Sequence, residues 1–106
     1  MISARQILSK WCDEILPNYN LDKVELKKTP PEDTLDKATL VIEHSNLVAS
    51  FTAWGEQGTT EWLVMEIQSG ETIVNRDEKF SDAKQLELLL ENAIMDIQRL
   101  GTLPMN

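Results

Sequence analysis

The apolar positions change period twice along the chain. From residue 3 to residue 17, Ala4, Ile7, Leu8, Trp11 and Ile15 recur at three- and four-residue steps, which marks one buried helix face. Ser3 stands as N-cap with Gln6 three residues later, a capping box, and Ile2 and Ile7 have the spacing of a hydrophobic staple. Pro17 stops this helix, since a residue preceding proline avoids helical geometry. The last part of the chain returns to the helical period, with Ala83, Leu86, Leu89, Leu90, Ala93, Ile94, Ile97 and Leu100 on one stripe. Its predicted start is Phe80-Ser81-Asp82, with Ser81 as the cap; Arg99 and Gly101 are stop signals. Thr102 to Asn106 reads as a loose tail.

Between the helices the period falls to two. Residues 21–28 alternate weakly and predict a short strand with Val24 and Leu26 inward, its lysines suited to a sheet edge. Thr29-Pro30-Pro31-Glu32-Asp33 is a connection, because two prolines exclude both a helix interior and a central strand. From Ala38 to Trp54 the pattern is a β-hairpin about a Ser45-Asn46 turn. That register pairs Ile42 with Ala49, Leu40 with Phe51 and Ala38 with Ala53 on an apolar side that ends at His44. Thr39, Val41, Glu43, Val48, Ser50, Thr52 and Trp54 take the opposite side. Gly55-Glu56-Gln57-Gly58 is the next turn. A loop symmetric about Gln57 puts Leu63, Met65 and Ile67 on the apolar side, and Trp62 and Val64 on the other, with Trp62 opposite Thr52. After a turn at Gln68-Ser69-Gly70-Glu71 comes a strand over Thr72–Arg76, in which either Ile73 or Val74 points inward, depending on a bulge.

The predicted architecture is α+β: an antiparallel sheet of four or five strands with an N-terminal and a C-terminal helix packed on one face, in a single domain spanning residues 1–106. Two helices with one apolar stripe each cover only one side of the sheet. The reverse side, expected to carry Trp54 and Trp62, is left to solvent or a partner.

Composition sharpens the functional reading. Apolar residues make up 42% and charged residues 26%, which is globular and not disordered. The formal charge is −8, so DNA, RNA and anionic membranes are not expected partners. The excess is uneven: residues 1–31 carry five basic and four acidic side chains, residues 32–106 five and fourteen. An acidic surface can serve solubility alone or steer a basic partner, and composition does not choose. A single cysteine, Cys12, beside the first stripe, reads as a packing residue of a reducing compartment, and no signal or membrane-spanning segment is expected; the implied location is the cytoplasm.

Chemistry-bearing motifs are sparse. One histidine, His44, at a strand end, does not make a triad, and one His with one Cys does not supply a zinc site. Eighteen acids make some close carboxylate pair inevitable, so pairing has no specificity. Gly55 and Gly58 have the bare spacing of a nucleic-acid-clamping loop but join strands and enclose Glu56, which is turn chemistry. No phosphate-binding glycine loop is present. Neither an enzyme nor a bound cofactor or metal is expected. Trp54 and Trp62 either cover one another or anchor an interface; Glu56 and Glu61 would flank that patch, with Glu43, Glu32 and Asp33 at its periphery.

Ala49-Ser-Phe-Thr-Ala-Trp54, Glu61-Trp-Leu-Val-Met-Glu-Ile67, Ser69-Gly-Glu71 and Phe80-Ser with Leu86 resemble small bacterial immunity proteins, nearest the TriTu type. The likeness covers roughly residues 38–100 and rests on strand pattern. Members of that type protect the producing cell from an ADP-ribosyltransferase toxin, carried by Rhs effectors of type VI secretion, that modifies elongation factor Tu. The resemblance implies occlusion of the toxin's active site in a one-to-one complex, with the free chain a monomer. The alternative reading is a small acidic secretion chaperone, which would dimerise, or an adaptor domain.

Overall fold

The computed structural model describes residues 3–30 and 32–101, so Ile2 of the predicted staple and the predicted tail lie outside the described residues. Helix α1 (Ala4–Glu14) begins where the Ser3 hydroxyl accepts from the Gln6 N–H at 3.3 Å. A second cap comes from far along the chain. Asp36 Oδ2 accepts from the Ala4 N–H at 2.6 Å, while its Oδ1 accepts from the Arg5 N–H at 3.0 Å and from Arg5 Nε at 3.1 Å. A buried carboxylate at a helix start satisfies orphan donors and faces the positive end of the helix dipole. Asp36 is therefore structural, where the sequence suggests only a solvated acidic loop of Glu32, Asp33 and Asp36. The helix ends at Ile15, ahead of a 3-10 turn over Leu16–Asn18 that contains Pro17.

The chain then forms β1 (Lys23–Lys28), β2 (Lys37–His44), β3 (Leu47–Trp54), β4 (Thr59–Glu66) and β5 (Thr72–Lys79), followed by α2 (Ala83–Gly101). The strands lie side by side in chain order, all antiparallel, with β1 and β5 at the edges. Val24 and Leu26 point inward from β1, as the weak alternation predicts. The β2–β3 hairpin has the predicted register, with Ile42 facing Ala49, Leu40 facing Phe51 and Ala38 facing Ala53. Ser45 leads its two-residue turn at φ 59°, a left-handed residue of the kind such turns demand.

The next hairpin departs from expectation by one residue. Its loop holds four residues, closed by the Gly58 N–H on the Trp54 carbonyl at 3.0 Å, with Gly58 at φ 64°. Trp54 thus pairs with Thr59, Thr52 with Glu61 and Phe51 with Trp62. One residue of shift exchanges the faces of every side chain on the strand. Trp62 and Val64 are buried among the core residues, whereas Leu63 and Met65 look away from the helices. Ile67, beyond the strand, is 51% exposed. Placing Trp62 on the reverse face is corrected accordingly. On β5 a bulge opposite Val64 and Met65 sends Val74 inward and leaves Ile73 as the extra, outward residue. β5 also runs three residues beyond Arg76, because Asp77, Glu78 and Lys79 find partners in Glu61, Thr60 and Thr59.

Helix α2 starts from Asp82, not Ser81: Asp82 Oδ1 accepts from the Gln85 N–H at 2.8 Å, and Gln85 Oε1 reaches back to the Ser81 N–H at 2.7 Å. The cap thus stands one position later than predicted, with Gln85 bonding the residue before it. Gly101 is the final helical residue; a Cβ there would meet the His44 ring at 2.7 Å, so glycine lets α2 close on the β2–β3 turn.

One core joins Leu8 and Trp11 of α1, Leu86, Leu90, Ile94 and Ile97 of α2, and the inward residues of the central strands, all within one buried cluster. Each fully buried Leu, Ile or Phe side chain contributes about 1.5–3 kcal/mol by leaving water. Both helices lie on the same side of the sheet. No described element covers its reverse, the bare face.

Candidate functional site

Strand register arranges the outward side chains of the bare face in rows. Nearest the β3–β4 turn stand Lys37, Trp54, Thr59 and Lys79. The second row reads Lys27, Thr39, Thr52, Glu61 and Asp77 across all five strands. The third reads Glu25, Val41, Ser50, Leu63 and Asn75; the fourth begins Lys23, Glu43, Val48 and Met65 and meets the bulge at Ile73.

Chemistry divides this face into two halves. The half next to the β2–β3 turn is apolar: Val41, Val48 and Leu63 are half-buried, Met65 is 37% exposed and Ile73 45%. No described element covers these side chains, and such a patch on an open sheet is the ordinary mark of an interaction surface. Polar groups fill the other half. The Thr39 and Thr52 hydroxyls hydrogen-bond at 3.0 Å, and Lys37 Nζ lies 5.7 Å from the centre of the Trp54 ring. Lys27 marks its β1 side, and Glu61 stands directly opposite Asp77 on its β5 side, a like-charge juxtaposition that works against the sheet. A hollow of about 320 Å³ opens there between Trp54, Glu61, Asp77 and Lys79.

The predicted site residues separate under this geometry. Trp54 and Glu61 lie in adjacent rows of the bare face, both half-buried, and Glu43 is exposed on its far row. Glu56 is exposed in the β3–β4 turn beside Trp54. Glu32 and Asp33 are exposed in the loop entering β2, where Asp33 Oδ1 accepts from the Leu35 N–H at 2.9 Å. Trp62 is 2% exposed and belongs to the core: its ring lies 6.3 Å from that of Phe51, and its Nε1 donates to Asp96 Oδ2 at 3.1 Å. Leu63, Met65 and Ile73 are the apolar side chains that stand on the bare side of the sheet. The signal for them is present in the sequence, since β4 carries apolar residues at odd and even positions alike, which a one-sided strand does not need.

Elsewhere the reactive groups are quiet. Burial, reinforced by the neighbouring Asp13 charge, pushes the Cys12 thiol up to about 11 despite the opposing pull of Lys28. His44 is half-buried against the end of α2, with Nδ1 3.9 Å from Asp22 Oδ2. Among the described residues no group of three or more His, Cys, Asp or Glu is placed to hold a metal ion, and no helix is long and apolar enough to cross a membrane. No protein-family model matches this chain, and no curated protein matches it.

Proposed function

We propose that this chain is a protein-binding inhibitor that docks its bare sheet face onto a partner domain, and that the partner is an ADP-ribosyltransferase toxin of the kind neutralised by TriTu-type immunity proteins. The observation carrying the reading is the apolar half-face of Val41, Val48, Leu63, Met65 and Ile73, held on paired strands with no described element above it. A docking surface on paired strands is preorganised, so little conformational entropy is lost on binding. Glu43, Glu56 and Glu61 supply a polar rim, and the net charge of −8 favours encounter with a basic cleft. The reaction it suppresses would be blocked by occlusion, in a one-to-one complex in the cytoplasm of the producing cell.

Co-expression tests the reading directly. Bacteria producing such a toxin domain should grow when they also make this chain, and the two proteins should co-purify as a one-to-one complex. Met65→Asp should abolish both rescue and complex while the free variant keeps the parent's circular dichroism and melting profile. Absence of rescue by the parent chain against the toxin encoded beside its own gene would overturn the inhibitor role.

A further inference from the structure

We infer that the bare face is self-complementary about a two-fold axis running along β3, and that a second copy of this chain occupies it at high concentration. The register carries the inference. In the second row Lys27 lies two strands to one side of the β3 residue Thr52, and Asp77 two strands to the other. Stacking two copies face to face with the axis along β3 keeps each row over itself and exchanges left with right. Lys27 of each copy then comes over Asp77 of the other, twice per dimer.

The third row agrees with this operation, while in the fourth Glu43 comes over Met65 of the second copy, a mismatch that weakens the contact. Val41 comes over Leu63 of the second copy and Val48 over Val48, so the apolar side chains of the three central strands meet around the axis. Lys37, one strand from β3, is carried over Thr59, beside Glu61. The Glu61–Asp77 juxtaposition that works against the isolated sheet thereby gains cations from the second copy. Face-to-face sheets pack about 10 Å apart with strands roughly 30° off alignment, a gap that Lys and Asp side chains can span together. Two-fold pairing uses one patch on both copies and closes without leaving a free face.

Size limits the strength. Five strands at about 4.8 Å spacing and eight residues at about 3.4 Å rise give a face of roughly 600–700 Å². That is below the roughly 800 Å² per partner of a standard stable interface. The dimer is therefore weak, and the monomer expected of the free chain dominates at low micromolar concentration.

Sedimentation velocity from about 1 µM to about 1 mM at about 0.15 M salt, where repulsion between two chains of net charge −8 is screened, reads the outcome. The parent should move from one chain mass, 12.1 kDa, toward twice that value as concentration rises. Lys27→Glu and Asp77→Lys, both at exposed positions, should each weaken association by roughly tenfold or more. The double variant Lys27→Glu/Asp77→Lys should recover the parent's dissociation constant within about threefold, since the swap restores both contacts. A parent that stays monomeric throughout the range overturns the inference. So do single variants that associate like the parent, or a double variant that fails to recover while retaining the parent's circular dichroism.

Discussion

Trp62 Nε1 donates to Asp96 Oδ2 at 3.1 Å, joining the middle of β4 to α2 through a buried indole and a mostly buried carboxylate. Burial alone would push the Asp96 carboxyl up. Hydrogen bonds from Arg99 and Trp62, with the charges of Arg76 and Arg99, outweigh it and hold Asp96 below its ordinary 3.8. A depressed native value means that the folded state binds fewer protons, so Asp96 stabilises the fold above the unfolded carboxylate range of about 3.9. That contribution is lost as pH falls through the native value. Urea midpoints measured between pH 6 and 2 should therefore drop less steeply for Asp96→Asn than for the parent. Parallel acid limbs would show that the carboxylate is not held as described.

Removing the other member of this pair tests its strength. Trp62→Phe keeps a ring against Phe51 but deletes the donor to an ionised acceptor, which should cost about 1.5–3 kcal/mol in urea unfolding. A cost below about 0.5 kcal/mol, the size of a surface substitution, would place the indole outside the core.

Asp36 anchors α1 through two backbone N–H groups and the Arg5 guanidinium. Asp36→Ala leaves these donors without their acceptor and should destabilise the fold by about 2–3 kcal/mol. Far-ultraviolet circular dichroism during unfolding and amide exchange of Ala4 to Leu8 would show whether the loss is felt first in this helix.

Two glycines at positive φ make a controlled comparison. Gly58 has φ 64°, and a Cβ there would lie 2.7 Å from the Phe80 carbonyl oxygen; Gly70 has φ 70° with open space around it. Gly70→Ala should cost about 1–2 kcal/mol from backbone conformation alone. Gly58→Ala adds a backbone clash and should exceed it by at least about 1 kcal/mol. Equal thermal shifts for the two variants would remove the close approach of the β3–β4 turn to Phe80.

With its thiol raised from 9.0 to about 11, Cys12 holds about a hundredfold less thiolate at pH 8 than an unperturbed cysteine. Alkylation by iodoacetamide should be slower than for a free thiol standard by at least that factor in the native protein, and normal in urea. Fast native alkylation would make Cys12 a reactive group instead of a packing one.

Much of this geometry is legible in the sequence, and the exceptions have separate physical causes. The helix stripes and the β2–β3 hairpin are readable because each buries one side only, so Ala38, Leu40 and Ile42 alternate with polar neighbours. On β4, Trp62 and Val64 alternate with Leu63 and Met65, so hydrophobicity gives no preferred face and turn length alone decides. Four loop residues instead of five invert the strand, and neither Gly55 nor Gly58 announces which. Asp36 is missed for a different reason. Its partners lie 31 and 32 positions away, and no local pattern distinguishes a carboxylate that caps a distant helix from one that faces water. The bare face is thus predictable as a place, while the β4 side chains on it depend on a loop count.

The meander order of the strands also bears on how the molecule comes together. Each strand meets only its neighbour in the chain, so the sheet can zip through short loops whose closure costs little entropy. The first helix stands outside that economy. Although it precedes the sheet in the chain, the acceptor for its opening amides lies 32 and 31 residues farther on, so this helix gains its cap only once the approach to β2 has settled.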